Sequence, residues 1–264
     1  MATIINDIDT WNQYSKIRDG ILKGDFRGED PAIPENIRQL YDRETVLTPA
    51  DLSGELVKEL FLTQCRKFIP HYEVDSLNEP IIDAFVMYLR RDERFKSINS
   101  SFKRSRGLLL RGNVGVGKTV LFKALRNLLS DLRFFRYTNY RGYYNNEDTF
   151  RIVTANRIAE MYSIDGFEIL ETGFNSSRKT ENIDLVSSTL FIDDIGSEPI
   201  VSHYGTTVNI IAELLIRRYE LGKITHATSN LGVDDLKKLY GLRVFDRMRE
   251  MFNDITLKGE SRRK

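Results

Sequence analysis

The sequence predicts a three-layer α/β fold with a buried parallel sheet, preceded by a small helical region. Two observations carry this. From Gly107 onward, short apolar segments that lack strict alternation are separated by helical patterns, as in a sheet covered on both faces. Before that point, short helical patches are broken by Gly20, Gly24, Gly28, Pro31, Pro34, Pro49 and Pro70. The expected division is a helical N-terminal region over residues 1–75 and an α/β domain over 76–264.

In chain order, the first strong element is "NEPIIDAFVMYLRRDERF". Asn78 can cap it, Pro80 suits its first turn, and Ile81, Ile82, Phe85, Tyr88 and Leu89 form one apolar face. The polar, basic "NSSFKRSRG" (99–107) reads as a linker. Strands are then expected at "GLLLR" (107–111), "FRIVTA" (150–155), "TLFID" (189–193), "ITHATS" (224–229) and "DITL" (254–257). Between them come the helical patterns "KTVLFKALRNLL", "NRIAEMY", the long "TTVNIIAELLIRRYEL", and "GVDDLKKLY" with the arginine-bearing "LYGLRVFDRMREMF".

Composition excludes several classes of function. Lys and Arg number 39 against 38 Asp and Glu, a net charge of +1, so no global field draws the chain to nucleic acid or an anionic membrane. The single cysteine, Cys65, rules out an internal disulfide. With only His71, His203 and His226 beside it, a structural zinc site is not expected. No apolar run reaches membrane-spanning length, and Asp7 and Asp9 stand where a signal peptide would be basic, so a cytoplasmic protein with no membrane association is expected.

"GNVGVGKT" matches G-x-x-x-x-G-K-[ST] directly after a strand and at the start of a helix. Backbone N–H groups of such a turn surround a pyrophosphate where no side chain obstructs it, hence Gly112, Gly115 and Gly117. Asn113, Val114, Val116 and Val120 complete the expected ATP-binding stretch. Lys118 is expected on the β- and γ-phosphates, and the Thr119 hydroxyl on Mg²⁺. "TLFIDD" supplies the acidic strand end. Asp193 would hold the metal through water, and Asp194 would polarise the attacking water. The strand "ITHATSN" ends in Ser229 and Asn230. Asn230 is read either as an amide reaching the γ-phosphate or the water, or as a cap for the following helix.

"GNVGVGKT", "LFIDDIGSE", "ATSN" and "RVFDRM", in this order and spacing, resemble the AAA+ ATPases of the DnaC/IstB group, helicase loaders and helper ATPases of insertion sequences. The resemblance spans roughly residues 80–264. It implies ATP hydrolysis, a sheet of five parallel strands, a polar sensor role for Asn230, and an arginine finger at Arg247 that enters a neighbouring subunit of a homo-oligomer. The double aspartate, where many AAA+ enzymes carry Asp-Glu, implies a slow motor. In "KGESRRK" the resemblance points to Arg263 as a nucleotide sensor, with Arg262 the second choice, and no separate C-terminal lid domain is expected. Arg243, four residues before Arg247, is assigned to holding the interface or the finger, and Arg249 to solvent.

The partners implied are DNA, single-stranded by preference, and a replicative helicase gripped through residues 1–75, with Trp11 as a docking residue by analogy. The aromatic and basic "DLRFFRYTNYRGYYNNEDTF" is either a surface for stacking bases or a hairpin packed on the sheet edge. "GFNSSRKTENID", with Arg178 and Lys179, is either a channel-facing loop or a solvated connection. His203 reads as a surface or interface residue, following the acidic strand with Glu198 and Tyr204. Two other tasks fit the same engine: a transposition helper on duplex DNA with a transposase partner, and a nucleotide-dependent adaptor for proteins without DNA contact.

Overall fold

The computed structural model describes residues 7–23, 49–132, 150–171 and 184–262. The chain divides into two compact units. The first gathers residues 1–73, 82–95 and 124–145, and the second residues 74–81, 96–123 and 146–264.

The first unit contains helices α1 (Ile8–Lys23) and α2 (Gly54–Phe68), and most of α3 (Glu79–Leu89). Ser53 caps α2 by accepting from Leu56 N. Leu56, Val57, Leu60 and Phe61 recur at helical spacing and are buried, as are Ile82 and Phe85, and the Phe61 and Phe85 rings lie 5.8 Å apart. Burial raises the Cys65 thiol to about 12, which keeps it from acting as a thiolate. Trp11 is only 6% exposed, so its ring is a packed residue and offers no free docking face. Asn78 stands immediately before α3, and its Oδ1 accepts from Asp75 N at 2.8 Å, closing the preceding turn.

The second unit is built on a sheet of five strands, all parallel: β1 (Gly107–Arg111), β2 (Arg151–Thr154), β3 (Leu190–Asp193), β6 (Thr225–Ser229) and β7 (Phe252–Thr256), in the order β2-β3-β6-β1-β7. β6 is buried along its whole length. Strand periodicity of two sorts the side chains. Leu109, Val153, Leu190, Ile192, Ala227 and Phe252 join one core with helices α6 (Ala155–Asp165), α7 (Ile210–Glu220) and α8 (Val233–Met251). Phe191 and His226 point to the opposite face. There Phe122, in the first turns of α5 (Lys118–Leu132), stacks on Phe191 at 4.3 Å and tilts against His226 at 5.6 Å. Asn253 fastens the linker to β7, donating to the Lys103 carbonyl and accepting from Lys103 N, each at 2.8 Å. The short helix α4 (Phe95–Ile98) precedes that linker.

The structure also corrects where α7 begins. Thr206, Thr207 and Val208 do not begin α7; they form β5, antiparallel to β4 (Val201–His203), and α7 starts after Asn209, whose side chain accepts from Ala212 N. The β-branched run Thr206–Val208, with Val208 opposite Val201, favours the hairpin over a helical turn. Gly241, at φ 78°, ψ 164°, breaks α8, which keeps "GVDDLKKLY" and the arginine segment as two helical pieces, as the sequence reading has them. No helix among the described residues is long and apolar enough to cross a membrane.

His226 makes stability depend on pH. Its Nδ1 accepts from Leu108 N at 3.0 Å, and burial, then the positive charge of Arg218, lowers its pKa from 6.5 to about 3. The unfolded chain therefore takes up a proton below pH 6.5 that the folded chain refuses until about pH 3. Stability from this group is complete above pH 6.5 and is lost as pH falls, by about 1.4 kcal/mol per unit. Urea unfolding at pH 7 and pH 5 should show a loss of about 2 kcal/mol in the wild type that is absent in His226→Asn, which keeps an acceptor for Leu108 N. Equal pH dependence in both proteins would remove His226 as the cause.

Candidate functional site

The site lies where β1, β3 and β6 end. Arg111 and Ser229 are register partners, and Gly112 N donates to Ser229 O at 3.2 Å, so the loop after β1 opens beside the end of β6. Gly112, Gly115 and Gly117 take φ of 154°, 85° and 101°. The loop is crowded on its outer side: a Cβ on Gly112 would stand 2.1 Å from the Leu257 carbonyl oxygen, and one on Gly115 2.2 Å from Ser261 Oγ. Val116 is buried beneath the loop, while Asn113 and Val114 are exposed. Val120 N and Leu121 N both donate to Gly117 O, which begins α5.

Lys118 is 7% exposed, and its Nζ donates to Gly112 O (2.7 Å), Asn113 O (2.9 Å) and Asn230 Oδ1 (2.6 Å). The amide of Asn230 donates from Nδ2 to Asp194 Oδ1 at 2.5 Å. Asn230 thus joins the loop lysine to the second aspartate. It is not the helix cap that remained open in sequence, because Gly232 occupies the N-cap of α8 and Ser229 Oγ donates to Ile195 O.

Asp193 follows the same alternation as Phe191, and Thr119 stands one turn before Phe122, which brings the two onto the α5 face of the sheet. Thr119 Oγ1 donates to Asp193 Oδ1 at 2.8 Å, and Thr228 Oγ1 donates to the same oxygen at 2.6 Å. Thr228 also accepts from Asp194 N at 2.8 Å, so one hydroxyl sets both aspartates. Sequence reasoning passed over Thr228; its position two residues after His226, on the face that carries Asp193, is the signal that finds it. Asp194 has left the strand with φ 63°, a conformation tolerated by Asp better than by most residues. The Thr119 hydroxyl and the Asp193 carboxylate are hard oxygen donors suited to a divalent cation of the Mg²⁺ type.

Behind this cluster, Glu198 is buried and braces the turn after β3. It accepts from Gly196 N and from Tyr240 OH, each at 2.7 Å, and burial together with the Glu198 charge raises the Tyr240 phenol. His203 Nδ1 lies 3.3 Å from Ser163 O on the β4–β5 hairpin, and Tyr204 at its turn is 97% exposed.

Arg247 is not joined to this cluster in the single chain. Its guanidinium lies over the Tyr219 ring at 4.6 Å and donates to Tyr219 OH (3.2 Å) and Glu250 Oε1 (3.3 Å). Tyr219 donates in turn to Glu250 Oε2, which raises the phenol and lowers the carboxyl. Arg243 and Arg249 are exposed. Arg262 donates to Asp75 Oδ2 at 2.6 Å. Arg263, the loop with Phe134, Phe135, Tyr137, Tyr140, Tyr143 and Tyr144, and Arg178 and Lys179 lie outside the described residues.

A parallel sheet with β6 between β1 and β3, a glycine-rich loop opening α5 and an acidic end to β3 together define a P-loop nucleoside-triphosphatase fold. The chain resembles the solved structures of the DnaC helicase loader (20% identity over 76% of this chain and 99% of that one, TM-score 0.46) and DnaI (19%, 72% and 89%, TM-score 0.42). It also resembles AMPPCP-bound DnaA from Aquifex aeolicus at 18% identity, over 71% of this chain and 48% of that one, TM-score 0.38. At these identities and scores the resemblance says nothing of activity or partners. No protein-family model and no curated protein matches the chain.

Proposed function

We propose that the chain binds and hydrolyses ATP, and that it acts in DNA replication as a DnaC-like loader that grips a helicase and single-stranded DNA. The observation that carries this is the linked set Lys118–Asn230–Asp194 beside Thr119–Asp193–Thr228, all at the strand ends around the phosphate loop. The loop N–H groups and Lys118 hold the phosphates, and Thr119 and Asp193 hold Mg²⁺. Bound there, Mg²⁺ neutralises phosphate charge. Asp194, aimed by Asn230, accepts a hydrogen bond from the attacking water. The loader assignment is supported by the motif resemblance to the DnaC/IstB group, residues 1–75 being the partner-binding region and 76–264 the ATPase domain.

Arg247 is the residue that links ATP to assembly. Its guanidinium is about two-fifths exposed and directed by Tyr219 and Glu250, as suits a finger presented to a second copy. In light-scattering chromatography the wild type should assemble with ATP and retain single-stranded DNA. Arg247→Ala should bind nucleotide normally but lose assembly, with turnover lower by on the order of a thousandfold. Wild-type turnover and assembly in Arg247→Ala would refute the finger role; ATP-dependent assembly on duplex DNA alone would replace the loader with the transposition helper.

A further inference from the structure

The chain leaving β7 runs along the phosphate loop. Leu257 N donates to Arg111 O at 2.7 Å, Asn113 Nδ2 donates to Gly259 O at 3.4 Å, and Arg262 N donates to Gly115 O at 2.9 Å. The glycines that open the loop also admit this segment, since a Cβ at Gly112 or Gly115 would strike Leu257 or Ser261. Its far end is fastened: Arg262 Nη2 meets Asp75 Oδ2 at 2.6 Å. Asp75 is fixed in turn, its Oδ1 accepting from Leu77 N (2.9 Å) and Asn78 N (3.0 Å) and its own N donating to the buried Asn78.

We propose that residues 257–262 are a strap that sets the shape of the phosphate loop, and that Asp75, acting through Arg262, is a positioning residue for nucleotide binding. This rests on the reading of Gly112–Thr119 as a phosphate site. A loop with three glycines at positive φ has conformations to lose when it closes on an anion, and a strap bonded to both its arms removes many of them beforehand. The guanidinium of Arg262 is then a fastener held by Asp75, and not a group laid on the nucleotide.

The test is a titration of the full chain with a fluorescent ADP analogue, alongside turnover measurements. Asp75→Asn keeps the acceptor for Leu77 N and Asn78 N and removes the charge facing Arg262. It should weaken affinity about threefold to fivefold, the size of a partly exposed ion pair. Arg262→Ala should weaken it equally, and the double variant no further, with kcat unchanged in all three. An effect of Arg262→Ala without one from Asp75→Asn would overturn the strap, because Arg262 would then act on nucleotide directly. Wild-type affinity in both would overturn it as well. Lys118→Ala separates the two levels: if it binds nucleotide like the wild type, the phosphate site itself has failed.

Discussion

Lys118→Ala is expected to lose nucleotide binding, by about 3 kcal/mol or more, which is a hundredfold or more in Kd. An ammonium has three donors, and here all three are used, on Gly112 O, Asn113 O and Asn230 Oδ1. Two of these acceptors are the carbonyls of the loop itself, so the lysine holds the loop's first arm against the start of α5. An entering phosphate offers a charged acceptor in place of a neutral one, and charge-assisted bonds are about twice as strong as neutral ones. Alanine removes that gain and the bracing of the loop together. Isothermal titration with ADP and Mg²⁺ measures it, and an affinity within about threefold of wild type, less than 1 kcal/mol, would sink the assignment.

The same lysine shows why parts of the site were legible in sequence. Gly112–Thr119 is contiguous, and its chemistry is written in residue type and spacing. "TLFIDD" and "ITHATSN" were legible because an apolar strand ending in polar residues announces which end faces a ligand. The contacts that organise these pieces carry no such sign. The strap bonds Gly115 to Arg262 across 147 residues without any periodicity, and Asp75 lies before α3 in a stretch that reads as a plain turn. The hairpin β4–β5 has strands of three residues, too short for alternation to appear. Gly241 was visible but reads as a tolerated helix glycine until its φ of 78° is known. Arg218 does carry a signal: after Ile211, Leu214 and Leu215 the apolar stripe of α7 continues to position 218, where an arginine stands.

Arg218→Met is accordingly expected to be among the most destabilising changes in the sheet domain, by about 3 kcal/mol, since it takes a donor from several acceptors at once and a buried acceptor left unpaired costs about 1–3 kcal/mol. The side chain is fully buried, and burial lowers even this guanidinium to about 10. It donates to Thr225 Oγ1 (2.8 Å), Leu185 O (2.5 Å), Ser188 O (2.8 Å) and Ile224 O (2.7 Å). Methionine relieves the desolvation of a charge, an effect that favours the variant. Against it, the buried Leu185 O and the partly buried Ser188 O lose this donor, at about 1–3 kcal/mol for a buried acceptor left unpaired and less for the second. Ile224 O retains Leu190 N, and Thr225 Oγ1 retains Lys223 O, so the balance rests on the first two. Arg218→Lys keeps the charge but not the planar fork that reaches several acceptors at once, and it too should be destabilised. In urea the midpoint should fall with the slope unchanged. The functional consequence follows from topology: Leu185 and Ser188 lead into β3, while Ile224 and Thr225 begin β6, so Arg218 ties the two strands at their starts. Asp193, Thr228 and Asn230 stand at their other ends, and nucleotide affinity should weaken with stability. A methionine variant within about 0.5 kcal/mol of wild type would show that β3 and β6 keep their register without this tie.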